Sequence, residues 1–111
     1  MLNVLGRKIY LTRGDTAYIS VGLKDNSGND YKPEQGDKVY FRLKKSIYKD
    51  ELLVEKEINT DTLVLEIIPE DTSRLEFGTY CYEIELVTGS GQHFTVIENA
   101  CFTIGAELEV H

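Results

Sequence analysis

Thr79–Val87 reads TYCYEIELV, nine residues of unbroken alternation. Tyr80, Tyr82, Ile84 and Leu86 fall on one side of a period-two pattern, with Cys81, Glu83 and Glu85 on the other. Successive side chains of an extended strand point to opposite faces, so this is a half-buried strand with its aromatic and aliphatic face inward. Gly78 precedes it and Gly89-Ser90-Gly91 ends it. The chain before it must supply strands that pack on that inner face. The chain after it must turn back along it.

That return partner is Gln92–Ile97, joined through the glycine-rich turn in a hairpin. A break is expected at Glu98-Asn99-Ala100, then a last strand, Cys101–Val110, with Phe102 and Ile104 inward. Upstream, Pro69-Glu70-Asp71-Thr72 stops a strand, because Pro69 fixes φ and cannot donate a hydrogen bond. Asp71 or Thr72 is expected to cap a one-turn helix running through Leu75. The strand so ended is Thr62–Ile68, with Leu63, Leu65 and Ile67 inward. Val64 and Ile68 lie on its other face, where an oligomer contact or a covering loop would hide them. Leu52–Ile58 alternates less well; Val54 and Ile58 read as buried, Glu55 and Glu57 as exposed. Lys38–Lys44 turns Val39, Phe41 and Leu43 inward and Tyr40 and Arg42 outward. Between these two, Ser46–Glu51 is a polar crossing with room for one helical turn. Thr16–Lys24 points Ala17, Ile19, Val21 and Leu23 at the core, and Lys8–Thr12 is a short edge-like strand. Seven or eight short strands separated by turns, with no helix longer than a turn, describe an all-β antiparallel sandwich, with a small closed barrel as the nearest alternative. Residues 1–111 read as a single domain.

Composition agrees with a folded chain: apolar residues make up 41% and aromatics 10%. Nineteen acidic against 12 basic residues give a formal charge of −7. Such a field repels phosphate backbones and argues against nucleic acid and against polybasic attachment to lipid. No apolar run approaches membrane-span length, so no membrane insertion is expected. The opening MLNVLGRKIYLTRGD lacks a signal-peptide h-region. Synthesis in the cytoplasm without a signal peptide is the expectation, with later incorporation into a particle left open. Two cysteines are too few for a disulfide scaffold. If Val87 pairs near Gln92, Cys81 lies opposite Glu98 or Asn99, and a bulge at Asn99-Ala100 brings Cys101 within disulfide reach. A reduced pair is the default.

Chemistry-bearing patterns are sparse. Arg13-Gly14-Asp15 matches an integrin adhesion tripeptide, but it reads better as a tight turn in which Gly14 frees the backbone and Asp15 accepts from following amides. His93 and His111 have no Cys or carboxylate spaced with them as a metal set. Asp25, Asp30, Glu34 and Asp37 gather around one loop without the regular spacing of a calcium site, and read as solvated turn residues. Glu83 and Glu85 sit on an open sheet face with nothing to enclose a substrate. There is no phosphate-binding glycine loop or serine nucleophile elbow. No cofactor, metal or catalytic residue is expected, and the chain reads as non-enzymatic. Exposed tyrosines supply apolar area with a polar tip, which suits interfaces. Tyr18, Tyr40, Val64 and Ile68 are the contact candidates.

Two stretches carry a resemblance: IYLTRGDTAYISVGLK at the start, followed by GNDYKPEQGDKVYFRL, and PEDTSRLEFGTYCYEIEL later. Together they resemble the small immunoglobulin-like domains of phage and prophage tail proteins of Gram-positive bacteria, as in the N-terminal domain of baseplate upper proteins. Leu11, Arg13, Gly14, Asp15 and Thr16 match one recurring segment of that family. Pro69, Glu70, Asp71, Thr72, Leu75, Gly78, Tyr80, Tyr82 and Ile84 match the other. The resemblance implies an immunoglobulin-like sandwich in which Gly14, Asp15, Asp71, Gly78, Tyr80 and Tyr82 specify the fold. It implies a structural, virion-associated role, made by contacts with other tail or baseplate proteins or by self-association. The chain departs from generic immunoglobulin domains in lacking Trp and the Cys…Trp…Cys pattern. The alternative function is a carbohydrate-binding module that recognises cell-surface glycan through exposed tyrosine faces, Tyr40 foremost.

Overall fold

A computed structural model describes residues 8–106, apart from 26, 47, 49 and 50; of residues 97–99 it describes the backbone. In chain order the elements are β1 (Ile9–Thr12), β2 (Ala17–Ser20), β3 (Lys38–Lys44), β4 (Leu52–Ile58), β5 (Val64–Ile67), the one-turn helix α1 (Pro69–Thr72), β6 (Gly78–Val87) and β7 (His93–Gly105). They form a five-stranded sheet in the order β1-β7-β6-β3-β4 and a two-stranded sheet, β2-β5. This is an immunoglobulin-like β-sandwich: a sheet centred on β3, β6 and β7 faces a sheet built on β2 and β5.

The alternation at β6 explains why the sheets stack. Its Tyr80, Tyr82, Ile84 and Leu86 are all buried, as are Val39, Phe41 and Leu43 of β3. Leu65 and Ile67 of β5, with Val21 and Leu23, close the same core from the other sheet. At its centre Phe41, Tyr82 and Phe102 form an aromatic trio with ring centroids 5.6, 5.9 and 6.2 Å apart. The Tyr82 and Phe102 rings meet edge-on at 82°, which sets a positive ring edge against a negative face and adds to their area burial.

Four expectations change. First, the sandwich is not wholly antiparallel, because β1 pairs with β7 in parallel, Ile9 opposite Phe102 and Thr12 opposite Gly105. The turn after β1 carries the chain across to the other sheet, so β1 and β2 do not make a hairpin. Second, Thr16–Lys24 keeps its inward set, but ladder pairing stops at Ser20. Beyond it Val21 N–H donates to the Leu63 carbonyl (2.8 Å) and the Leu23 carbonyl accepts from Tyr31 N–H (2.9 Å). Leu63 holds this junction at φ 52°, in the left-handed region, so the strand Thr62–Ile68 shortens to β5. Third, no break interrupts β7. The β6–β7 register shifts between Tyr82 and Ile84 and again between Ile84 and Glu85. Each shift is an extra residue on β7, so bulges replace the expected gap. Fourth, neither Asp71 nor Thr72 is the N-cap; Ile68 holds that position. Asp71 works backward from the third helical position, its carboxylate accepting from Ile68 N–H at 2.9 Å. The expected helical turn at Ser46–Glu51 and the end of Cys101–Val110 lie partly outside the described residues.

Candidate functional site

The two segments that carried the resemblance are one structural unit. Gly14 sits at φ 85°, a conformation that favours glycine. This aims its N–H at the hydroxyl of Thr72, 2.9 Å away. Thr72 is only 1% exposed, so its hydroxyl serves this turn rather than its own helix. Arg13 reaches the Leu75 carbonyl at 3.4 Å and lies 4.2 Å from the centroid of the Phe77 ring. The tripeptide is thus a docked turn whose arginine is engaged inside the molecule. Asp15 closes it through its backbone, N–H to the Thr12 carbonyl at 3.1 Å.

The same end carries a tyrosine corner. Tyr80 opens β6 with its hydroxyl donating to the Glu76 carbonyl at 2.7 Å. Such a bond fixes how the chain enters this strand in immunoglobulin-like sandwiches. Gly78, at φ 148°, allows that entry. Burial, with the nearby charge of Glu76, raises the Tyr80 hydroxyl's pKa, so it stays protonated and donating. At the opposite end Asp37 accepts from Glu34 N–H (2.9 Å), Tyr31 hydroxyl (3.1 Å) and Gly89 N–H (3.2 Å). Burial alone would raise its pKa, but these donors outweigh that and lower it. Asp25 accepts from Ser27 and Asn29 N–H, and Asp30 pairs with Lys24. Asp25 and Asp37 are therefore spent on turn structure, and Asp30 on an exposed ion pair. Among the described residues no group of three or more His, Cys, Asp or Glu is arranged to hold a metal ion.

The outer face of the large sheet is a charge lattice. Arg42 of β3 bonds Glu55 of β4 at 2.7 Å and Glu85 of β6 at 2.9 Å. Lys44 lies 3.7 Å from Glu83, and His93 lies 3.5 Å from Glu85. The basic strand β3, flanked by acidic positions on β4 and β6, is neutralised by them. Tyr40 lies within it, and the Arg42 guanidinium is 5.2 Å from its ring centroid, over one of the faces a sugar would stack on.

A different surface opens at the seam of the two sheets. Tyr18, Lys56, Glu57, Asn59, Thr62, Val64 and Glu66 line a groove of about 510 Å³ between β4 and the β2–β5 sheet. Tyr18 and Glu66 are cross-strand partners, and Val64 lies opposite Ser20. Tyr18 is 69% exposed and stands at the rim. Lys56 occupies an inward position between Val54 and Ile58, yet its ammonium finds Asp71 at 2.7 Å. That pair bridges β4 to α1 beside the groove, which Lys56 lines.

Of the four contact candidates, the structure brings Tyr18 and Val64 together in this groove and places Tyr40 on the outer face of the large sheet. Ile68 is half-buried at the entry to α1. Sequence reasoning missed Lys56, Asn59 and Glu66. Lys56 carried a signal: a charge at the inward parity of a strand needs a partner. His93 is exposed on the outer face, and His111 lies outside the described residues. Among the described residues no helix is long and apolar enough to cross a membrane. No family model matches the chain, and no curated protein matches it.

Proposed function

We propose that the protein is a non-enzymatic assembly module that buries its Tyr18 groove against a neighbouring protein of a phage or prophage tail or baseplate. The observation that carries this is Tyr18 itself, 69% exposed beside Val64 at the mouth of an open groove. Exposed tyrosine next to an aliphatic side chain offers contact area at low entropic cost, with a hydroxyl left for hydrogen bonding. Glu66 lines the groove, as does Glu57, which lies 3.9 Å from Lys38, and the chain carries a net −7. Two copies meeting through this groove would repel, so the reading favours a partner face bearing Lys or Arg. The tail and baseplate setting comes from the two segments that resemble such domains. Those segments fold here into one stapled unit, and a rigid end suits a domain whose work is to hold position.

Size-exclusion chromatography with light scattering, run with and without the co-expressed neighbouring tail protein, tests the reading. The expected result is a complex that weakens as salt rises and when Tyr18 is replaced by Ser. A strict monomer at high concentration that retains no tail protein would reject it.

A further inference from the structure

Cys81 and Cys101 are both free, half-buried and directly opposite each other on β6 and β7. Their pairing depends on the bulges. Val87 faces His93, so an unbroken register would set Cys81 against Asn99. Two extra residues on β7 advance that register by two, to Cys101.

The kind of rung they occupy follows from two hydrogen bonds outside the ladder. Thr88 N–H donates to the Gln92 carbonyl at 2.8 Å, so the backbone of Thr88 points at β7. Backbone direction alternates along a strand, and β6 keeps an unbroken register with β3 from Val87 to Cys81. Counting back from Thr88, even-numbered residues of β6 point at β7, and Cys81 points at β3. From the other side, the Gly105 carbonyl accepts from Arg13 N–H at 3.0 Å, which directs Gly105 toward β1. Thr103 and Cys101 share that direction, because no bulge intervenes between Ala100 and Ile104. Cys81 and Cys101 are therefore a non-hydrogen-bonded pair, the closer of the two antiparallel rungs. Cα atoms there lie about 4.5 Å apart, inside the roughly 4.4–6.8 Å that disulfides span. The next rung on the same face gives a direct measure. Thr79 and Thr103 are opposite, and their hydroxyl oxygens meet at 3.1 Å. A cysteine sulfur branches from the same position as a threonine hydroxyl.

We propose that Cys81 and Cys101 are a reversible dithiol–disulfide pair that clamps the bulged part of the β6–β7 hairpin in an oxidising medium. With a small disulfide as oxidant, one cysteine attacks it and releases one small thiol. The second cysteine then attacks the mixed disulfide and releases the other. One intramolecular S–S bond forms, the reagent's S–S bond breaks, and both cysteine protons end on the two released thiols. The clamp lies on the outer face of the large sheet, away from the Tyr18 groove, and does not depend on the partner proposed there.

The test incubates the whole chain with oxidised glutathione and compares it with the reduced chain. The expected product is a monomer lighter by two hydrogens, with no titratable thiol under denaturing conditions and full recovery on reduction. Closing a hairpin loop of this size should raise Tm by on the order of 10 °C. Cys81→Ser and Cys101→Ser, treated alike, should lack the rise. Stable glutathione adducts on both cysteines, or a disulfide-linked dimer as the main product, would overturn the proposal. So would an intramolecular bond that lowers Tm, because it would show the rung geometry to be wrong.

Discussion

The two faces of β6 are built from one alternation and behave oppositely. On the inner face, Tyr80, Tyr82, Ile84 and Leu86 are sealed into a core shared with the opposite sheet. On the outer face, Glu83 and Glu85 are matched to Lys44 and Arg42 of the next strand. The inner face joins two sheets and has no substitute if it fails. The outer face joins strands that backbone hydrogen bonds already hold. The first should therefore govern whether the chain folds, and the second how its stability responds to pH and salt.

The largest effect that would break this contrast is at Tyr82. Replacing it with Ala removes a member of the aromatic trio and should cost about 3–5 kcal/mol in chemical denaturation. A loss below about 1 kcal/mol would place the weight of the fold elsewhere. Thr72→Val comes next, because it leaves Gly14 N–H without its acceptor at a site that is 1% exposed. About 1–3 kcal/mol should be lost, the cost of one orphaned buried donor. On the outer face Glu85→Gln should cost only about 0.5–1 kcal/mol, as for a partly exposed ion pair. Its pH signature is more telling. Burial alone would raise the Glu85 pKa, but Arg42, and then His93, hold it below the ordinary 4.5. Its contribution is thus complete above the unfolded value and drains away as pH falls through the lower folded value. Urea titrations from neutral pH to about pH 3 should show a steeper acid loss in the native chain than in the Glu85→Gln variant. The smallest effect should be Tyr18→Ser: within about 0.5 kcal/mol on folding, but a clear loss of association. If Tyr18→Ser unfolds the chain instead, that tyrosine belongs to the architecture.

The inner face was legible in the sequence because period-two burial is a local signal. β3 and β4 begin and end at the residues the alternation marks, Lys38–Lys44 and Leu52–Ile58. What was not legible was non-local. The parallel seat of β1 depends on a strand some ninety residues later. The register of β7 depends on two bulges, where the sequence suggested one at Asn99-Ala100 beside a break in the strand. The groove was half visible, because Val64 stood out as an apolar residue on the wrong face and Tyr18 as an outward aromatic. Lys56 showed its inward parity but not its partner, because Asp71 comes from a turn that only folding brings near.

The parallel pairing of β1 with β7 has a mechanical meaning. Both strands run the same way, and the described chain enters just before Ile9 and leaves just after Gly105. Tension applied at Lys8 and Ala106 therefore pulls the two strands along their length in opposite senses. The rungs from Ile9–Phe102 to Thr12–Gly105 share that load together instead of parting one after another. A domain strung between two neighbours through these points would resist stretching as a lap joint does.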